Sequence, residues 1–164
     1  MADLLSHVLV AYALGTVAGW RLEWLSSRWI AVAMVGAVVP DLNRIGLLVG
    51  EPTVEAALGT PFSFGAIQTL GGVIVLAGIG TLCFETHRFR AYGLLLAGGL
   101  SHLLFDAIKR YADGEAGAWL FPLTWARHPT PNLYVSSEPA VLLVALSLAV
   151  CVWALDRRWV DESS

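Results

Sequence analysis

Long runs without a charged side chain alternate along this chain with short segments that carry most of the Lys, Arg, Asp and Glu residues. A helix needs about 20 apolar residues to cross about 30 Å of hydrocarbon, so each long run predicts a transmembrane helix. The predicted helices are roughly 4–20, 29–48, 63–84, 91–109 and 139–156. The second and fourth reach this length only by including an acidic residue, Asp41 and Asp106.

The composition agrees with a chain that lies in lipid. Of its 164 residues, 57% are hydrophobic and 14% are charged, whereas soluble domains average about 45–50% and about 25%. This length fits one domain, so we predict a single all-α, polytopic membrane helical bundle over residues 1–164. A net charge of −3 gives no basic surface for nucleic acid. The predicted partner is membrane lipid, and a partner membrane protein or a second copy of the chain is left open.

The basic residues near the helix ends give a small bias in orientation. With five helices, one side carries six of them, Arg21, Arg28, Arg88, Arg90, Arg157 and Arg158. The other side carries four, Arg44, Lys109, Arg110 and Arg127. Because loops rich in Lys and Arg stay in the cytoplasm, we predict an external N-terminus and a cytoplasmic C-terminus.

Two histidines and two aspartates lie inside the predicted helices rather than at their end residues: His7, Asp41, His102 and Asp106. His102 and Asp106 are four residues apart, so a helix places both on one face. Since successive spans run in opposite directions, the start of the first helix and the ends of the second and fourth share one membrane face. Unpaired charge is costly in lipid, so these groups are expected to meet in a shared polar or metal site.

Imidazole and carboxylate groups in such a site suit a divalent ion. We predict metal binding by His7, Asp41, His102 and Asp106. Four-coordinate Zn²⁺ is the favoured ion, with Mn²⁺ or Mg²⁺ as alternatives if the site is richer in oxygen. Glu138 opens the fifth helix at the same face, and Glu138 or Asp41 is the predicted catalytic base.

Two other histidines and two loops complete the pattern. His87 stands in a basic turn at the opposite face, which predicts a solvated loop residue. His128 stands in a loop on the site side, and two alternatives are open: its side chain reaches the site, or it reaches the lipid headgroups. Residues 50–62 and 111–138 are rich in turn formers, so both are expected to lack helical structure.

Several of these residues stand in longer motifs. The motifs are Ser6-His7, Val39-Pro40-Asp41-Leu42-Asn43, and Gly99-Leu100-Ser101-His102-Leu103-Leu104-Phe105-Asp106 followed by Leu120-Phe121-Pro122. In this order they resemble the YdjM-like inner-membrane metal-dependent hydrolases. The resemblance implies an inner-membrane location and metal or catalytic roles for the four ionisable residues, with Glu138 a looser match to a late acid.

The chain also departs from that family. Asn43 stands where the family has a second Asp, and residues 59–64 replace a His-Arg-Gly-x-x-His-Ser segment, so ligands for a second ion are missing. The first hypothesis is therefore a hydrolase with one ion that acts on a lipid ester or phosphodiester. The second is a catalytically degenerate relative that serves as a structural or partner-binding membrane protein. Ion conduction is disfavoured, because the polar groups lie at one end only.

Overall fold

A computed structural model describes residues 2–135 and 138–162 as a helical protein. Residues 1, 136–137 and 163–164 of the predicted domain lie outside the described residues. The α helices are α1 (Ala2–Gly19), α2 (Ser27–Val38), α3 (Glu51–Leu58), α4 (Leu70–Thr81), α5 (Arg88–Ile108) and α6 (Pro139–Glu162). Two 3₁₀ helices, Val39–Leu47 and Phe64–Gln68, lie between them. The described ranges contain isolated β-bridges but no strand, so the all-α prediction is confirmed.

Three helical segments of the described chain are long and apolar enough to span a membrane: Ser27–Leu47, Arg88–Ile108 and Pro139–Arg158. They correspond to the predicted spans 29–48, 91–109 and 139–156. The other two predicted spans contain shorter apolar helices, Leu4–Gly19 and Leu70–Thr81, so the count of five is not confirmed. Large apolar side chains on the outside of the helices, such as Val75, Leu104 and Val144, are exposed, as expected of a surface that faces lipid.

The predicted helix 63–84 is divided in the structure. Thr69 has an extended backbone (φ −123°, ψ 163°) and separates the 3₁₀ helix Phe64–Gln68 from α4. The Thr69 hydroxyl accepts a hydrogen bond from the amide of Gly72 at 3.1 Å, which caps the start of α4. The 12 residues of α4 extend over about 18 Å, which is less than the thickness of the hydrocarbon core.

Two other segments also differ from the prediction. The predicted helix 29–48 is α-helical only to Val38 and continues as a 3₁₀ helix, because Pro40 has no N–H to extend the α-helical hydrogen bonds. The segment 50–62 contains α3, so the expectation that it lacks helix was wrong. Pro52 in the first turn of α3 and Gly59 with φ 66° just after its end are typical of helix boundaries.

Helix α5 is packed between α2 and α4, while α1 packs against α2 and α6. The buried residues of α5 recur at helical spacing and therefore lie on one face of that helix. They are Ala91, Leu95, Gly98, Gly99, His102, Leu103 and Asp106. The same face thus packs the helix and carries two of the predicted site residues into the interior.

Glycines bring the backbones of α2 and α5 into contact. A Cβ atom on Gly98 would lie 2.0 Å from the carbonyl oxygen of Ala33. A Cβ atom on Gly36 would lie 2.2 Å from that of Leu95. Larger residues at either position would push the helices apart, as at other close crossings of membrane helices. This crossing brings α5 close to the carbonyl groups at the end of α2.

Candidate metal centre

His102 is held by the backbone of the neighbouring helix. Its side chain is 1% exposed, and Nδ1 lies 2.8 Å from the carbonyl oxygen of Ala37. A carbonyl oxygen only accepts hydrogen bonds, so Nδ1 carries the hydrogen and Nε2 of the neutral ring carries a lone pair. Metal-binding histidines are commonly oriented in this way, with the second ring nitrogen bound to a carbonyl or carboxyl group.

His7 and Asp106 face the same space as His102 Nε2. The distance from His102 Nε2 to Asp106 Oδ2 is 3.4 Å, and that from His7 Nε2 to Asp106 Oδ1 is 3.5 Å. The two imidazole rings stack with their centroids 3.7 Å apart. One potential ligand atom from each of these buried residues lies within 4.8 Å of the others. We call His7, His102 and Asp106 the His-His-Asp cluster.

The chemistry of this cluster fits a divalent ion. His102 Nε2 is buried and has no hydrogen-bond partner within residues 2–135 and 138–162. This nitrogen lies 3.4 Å from a carboxyl oxygen of Asp106, and either a cation or a proton between the two atoms favours such a contact. Three protein ligands with an open fourth position are typical of catalytic zinc sites, whereas Mg²⁺ prefers oxygen ligands.

Other side chains contact the carboxyl group of Asp106. Lys109 Nζ lies 3.0 Å from Oδ1 and offsets its charge. The amide nitrogen of Gln68 donates a hydrogen bond to Oδ2. Asn43 Nδ2 donates in turn to Gln68 Oε1 at 2.8 Å. This amide chain, Asn43 to Gln68 to Asp106, orients the carboxyl group of the cluster.

Asp41, the fourth predicted metal ligand, is not one of the three grouped side chains. It is buried on the 3₁₀ helix Val39–Leu47, four residues after the Ala37 whose carbonyl holds His102. Its Oδ1 lies 2.9 Å from Arg44 Nε. Its Oδ2 is buried and has no hydrogen-bond partner in the described part of the chain. Asp41 thus lies outside the grouped side chains, and one of its carboxyl oxygens accepts no hydrogen bond from a described residue.

The remaining candidates lie outside the cluster. Glu138 is exposed just before α6. His87 is exposed in the turn before α5, as expected of a loop histidine. His128 is half-buried in the long loop between α5 and α6. Its ring makes an edge-to-face contact with Trp119, with the ring centroids 6.5 Å apart. None of these side chains belongs to the group of potential ligand atoms around Asp106.

A cavity of about 450 Å³ lies beside Asp106. Its wall comes from α5, the segment around the 3₁₀ helix Phe64–Gln68, and the long loop that follows α5. Aromatic side chains dominate that loop's contribution: Tyr111, Trp119, Phe121 and Trp125. Gln68 and Asp106 add polar groups. The cavity has the size and the largely apolar wall of a small-molecule site, and it reaches one member of the cluster.

An ion pair organises the loop that forms part of this wall. Arg127 Nη2 donates to Asp113 Oδ2 at 2.6 Å and to the backbone oxygen of Glu115 at 2.9 Å. Arg127 Nε also donates to the backbone oxygen of Ala116, a cavity residue, at 3.2 Å. The hydrogen bond from Arg127 holds the pKa of Asp113 below its usual value.

Sequence reasoning missed three groups that act on the cluster. Gln68 is an uncharged amide inside the charge-free run 56–84, and an amide in such a run is a signal that could have identified it. Lys109 stands three residues after Asp106, a helical spacing that places both on one face. The carbonyl of Ala37 has no sequence signal, because its role depends on the crossing of two helices.

Comparison of the chain with protein-family models, with curated proteins and with solved structures gives no significant match. The functional conclusion therefore depends on the cluster, the cavity and the apolar outer surface.

Proposed function

We propose that this chain is an inner-membrane, metal-dependent hydrolase similar to the YdjM-like family. In this proposal one divalent ion, Zn²⁺ before Mn²⁺ or Mg²⁺, binds to the His-His-Asp cluster. The observation that carries the proposal is the hydrogen bond from His102 Nδ1 to Ala37, which leaves Nε2 facing Asp106 in a buried site. The exposed apolar surface of the candidate spans supports the membrane setting.

The residues of the chain have separate roles in this proposal. A divalent ion in the cluster supplies Lewis acidity and lowers the pKa of water toward about 7. The Ala37 carbonyl orients His102, and Gln68 orients Asp106. Asp41 is the proposed general base, because its Oδ2 is buried with no hydrogen-bond partner in the described chain. Glu138, which the sequence also suggests, is the alternative base.

The proposed substrate is a lipid ester or phosphodiester. His7 lies in the second turn of α1, while His102 and Asp106 lie in the last two turns of α5. If these helices cross the bilayer, the cluster is near one end of the spans, at the depth of headgroups and ester bonds. The adjacent cavity has an apolar wall suited to the hydrocarbon part of such a molecule.

Metal analysis of detergent-purified protein tests the proposal directly. After equilibration with Zn²⁺ and removal of free metal, wild type is expected to retain about one ion per chain. His102→Ala and Asp106→Asn are expected to retain less than about a tenth of that amount. His87→Ala, which removes an exposed histidine, serves as the matched control. Folded wild type without zinc, or full retention in both cluster variants, would overturn the metal site.

A second candidate function is favoured by the contacts of Lys109 and Gln68 with Asp106. These groups satisfy the carboxyl group without an ion, so the cluster could stabilise helix packing in a structural or partner-binding membrane protein. This function predicts that cluster variants lower the unfolding temperature in detergent and that zinc does not raise it in wild type. Turnover of a lipid ester that is lost in a stably folded Asp41→Asn variant would contradict it.

A further inference from the structure

A second cavity lies at the end of the helical bundle opposite to the His-His-Asp cluster. Its volume is about 220 Å³, and it lies where α1 ends, α2 begins and α6 nears its end. His7 lies in the second turn of α1, whereas Trp20, which lines this cavity, directly follows that helix. About 20 Å of helix therefore separates the two places. The second cavity is thus distinct from the proposed metal centre.

Asp156 gives this cavity a negative charge that the described chain does not balance. Trp20 Nε1 donates a hydrogen bond to Asp156 Oδ1 at 2.9 Å, and both residues line the cavity, so the carboxyl group lies at its wall. The indole N–H is a neutral donor and leaves the charge in place. Within the part of the chain that the structure describes, no Lys or Arg pairs with Asp156. The adjacent Arg157 instead lies over the ring of Trp153, 4.6 Å from its centroid. Because an unbalanced charge near lipid is costly, a cationic group is the expected ligand.

The other groups of the wall determine which kind of cation fits. Ser26 and Ser27 supply hydroxyl groups, and Ser26 makes no side-chain capping hydrogen bond to α2. A primary ammonium has three N–H donors, which carboxylate and hydroxyl oxygens accept, whereas a quaternary ammonium has none. Tyr12 adds a second aromatic side chain beside Trp20, and aromatic rings attract ammonium groups. These groups therefore fit a primary ammonium better than a quaternary one.

The position of the cavity favours an ammonium group that is carried by a lipid. The candidate span Ser27–Leu47 begins beside it and the span Pro139–Arg158 ends beside it. If these helices cross the bilayer, the cavity lies at the depth of the headgroups, where tryptophans such as Trp20 are enriched. Apolar side chains next in sequence to lining residues are exposed, Val17 by 43% and Leu155 by 47%. Acyl chains can cover this surface while the headgroup enters the cavity.

From these contacts we infer that the second cavity binds the primary ammonium of an ethanolamine phospholipid headgroup, with Asp156 as its counterion. The inference goes beyond the proposed function, because it concerns the other end of the bundle and requires no metal ion. It assigns a lipid site on the side of the membrane that is predicted to be cytoplasmic.

Asp156→Asn tests the charge of the carboxyl group without removing its contact with Trp20. The side-chain carbonyl of Asn still accepts the hydrogen bond from the indole N–H, so α1 and α6 stay joined at this point. Glu23→Gln is the matched control. It removes one negative charge from the same end of the bundle, at an exposed residue outside the set that lines the cavity. Thermal unfolding in detergent shows whether each variant is folded.

The experiment measures retention of phospholipids by native mass spectrometry of metal-free protein released from detergent. Phosphatidylethanolamine, phosphatidylcholine and phosphatidylglycerol with identical acyl chains are compared. Wild type and Glu23→Gln are expected to bind the ethanolamine lipid at least about tenfold more tightly than either of the others. In Asp156→Asn this preference should fall below about twofold, because the charge that attracts the ammonium is gone.

An ethanolamine preference of the same size in wild type and Asp156→Asn would overturn the inference. Equal binding of the three lipids by wild type would also overturn it, and that comparison needs no variant to fold. Free ethanolamine bound as tightly as the lipid would overturn the assignment to a headgroup. Because the measurement is made without metal, it is independent of the zinc test. Ethanolamine lipid binding without a zinc site would reject the hydrolase alone, whereas a zinc site without this lipid preference would reject the headgroup site alone.

Discussion

His102 Nδ1 donates a hydrogen bond to the carbonyl oxygen of Ala37, a residue 65 positions earlier in the chain. The bond joins a side chain near the end of α5 to the last turn of α2. It exists because Gly98, one turn before His102, lets the two backbones touch. The orientation of the proposed ligand therefore depends on helix packing as well as on the identity of the residue.

Gly98→Ala is expected to destabilise the protein and to disturb the site together. The new Cβ atom would lie 2.0 Å from the carbonyl oxygen of Ala33, so α2 and α5 must separate. Overpacking of this kind costs about 1–3 kcal/mol, which thermal unfolding in detergent can detect. Zinc retention should fall in the same variant, because the Ala37 carbonyl moves away from His102.

Gly93→Ala is the matched control for this change. It lies on the same helix, and its Cβ atom meets no other atom within 4 Å. Alanine is favoured over glycine inside a helix by about 0.5–1 kcal/mol, so stability should stay equal or increase. Similar destabilisation by both substitutions would show that the close crossing at Gly98 is not the cause.

The amide chain from Asn43 through Gln68 to Asp106 predicts that a substitution at Gln68 and one at Asn43 both weaken zinc binding. Gln68→Leu removes the donor to Asp106 and should weaken zinc binding by about 10–100-fold, as loss of groups that orient metal ligands usually does. Asn43→Asp places an oxygen where Asn43 Nδ2 now donates to Gln68 Oε1. The Gln68 amide would then rotate and present its oxygen to Asp106, which should weaken binding to a similar extent.

The double variant tests whether these residues act through one another. Since both substitutions remove the same hydrogen bond to Asp106, the combined loss of zinc affinity should be close to that of Gln68→Leu alone. A loss equal to the product of the two single effects would mean that Asn43 acts on the site independently of Gln68. Zinc competition with a chromogenic chelator measures all three affinities.

The Asp113–Arg127 ion pair predicts how the loop responds to pH. Arg127 holds the folded-state pKa of Asp113 below its usual value, which is about 3.9 in unfolded chains. The pair therefore stabilises the loop above that pH, and its contribution is lost as the pH falls through the lower folded-state pKa. NMR titration of the labelled Asp113 carboxyl group should show a higher pKa in Arg127→Gln. Identical titration in both proteins would contradict this role of Arg127.

The bias in basic residues predicts which face of the membrane each loop occupies. Cys83 is exposed between α4 and α5, on the side predicted to be cytoplasmic. In a Cys151→Ser background, a membrane-impermeant maleimide should label Cys83 only after cells are permeabilised. Ala112→Cys in a background without other cysteines should be labelled in intact cells, since the long loop is predicted to be external. The opposite pattern would reverse the predicted orientation.

Much of the helical plan could be predicted from the sequence, because charged side chains are costly in lipid and therefore mark where apolar helices end. The spacing of His102 and Asp106 likewise indicates one helix face. Charge spacing did not predict the extended Thr69, which ends one helical segment and caps the next. Nor did it predict α3, whose boundaries depend on Pro52 and on the left-handed Gly59.

The sequence by itself determined a helical, lipid-compatible chain with a few ionisable groups inside its apolar segments. Only the tertiary structure decided that His7 joins His102 and Asp106 in one group of potential ligand atoms that does not include Asp41. It also decided that Gln68 orients the shared carboxyl group and that the long loop forms a cavity beside it. The physical reason is that polarity along a chain sets which segments leave water. Contacts of a few ångströms between carbonyl, amide and imidazole groups depend on how closely the helix backbones approach.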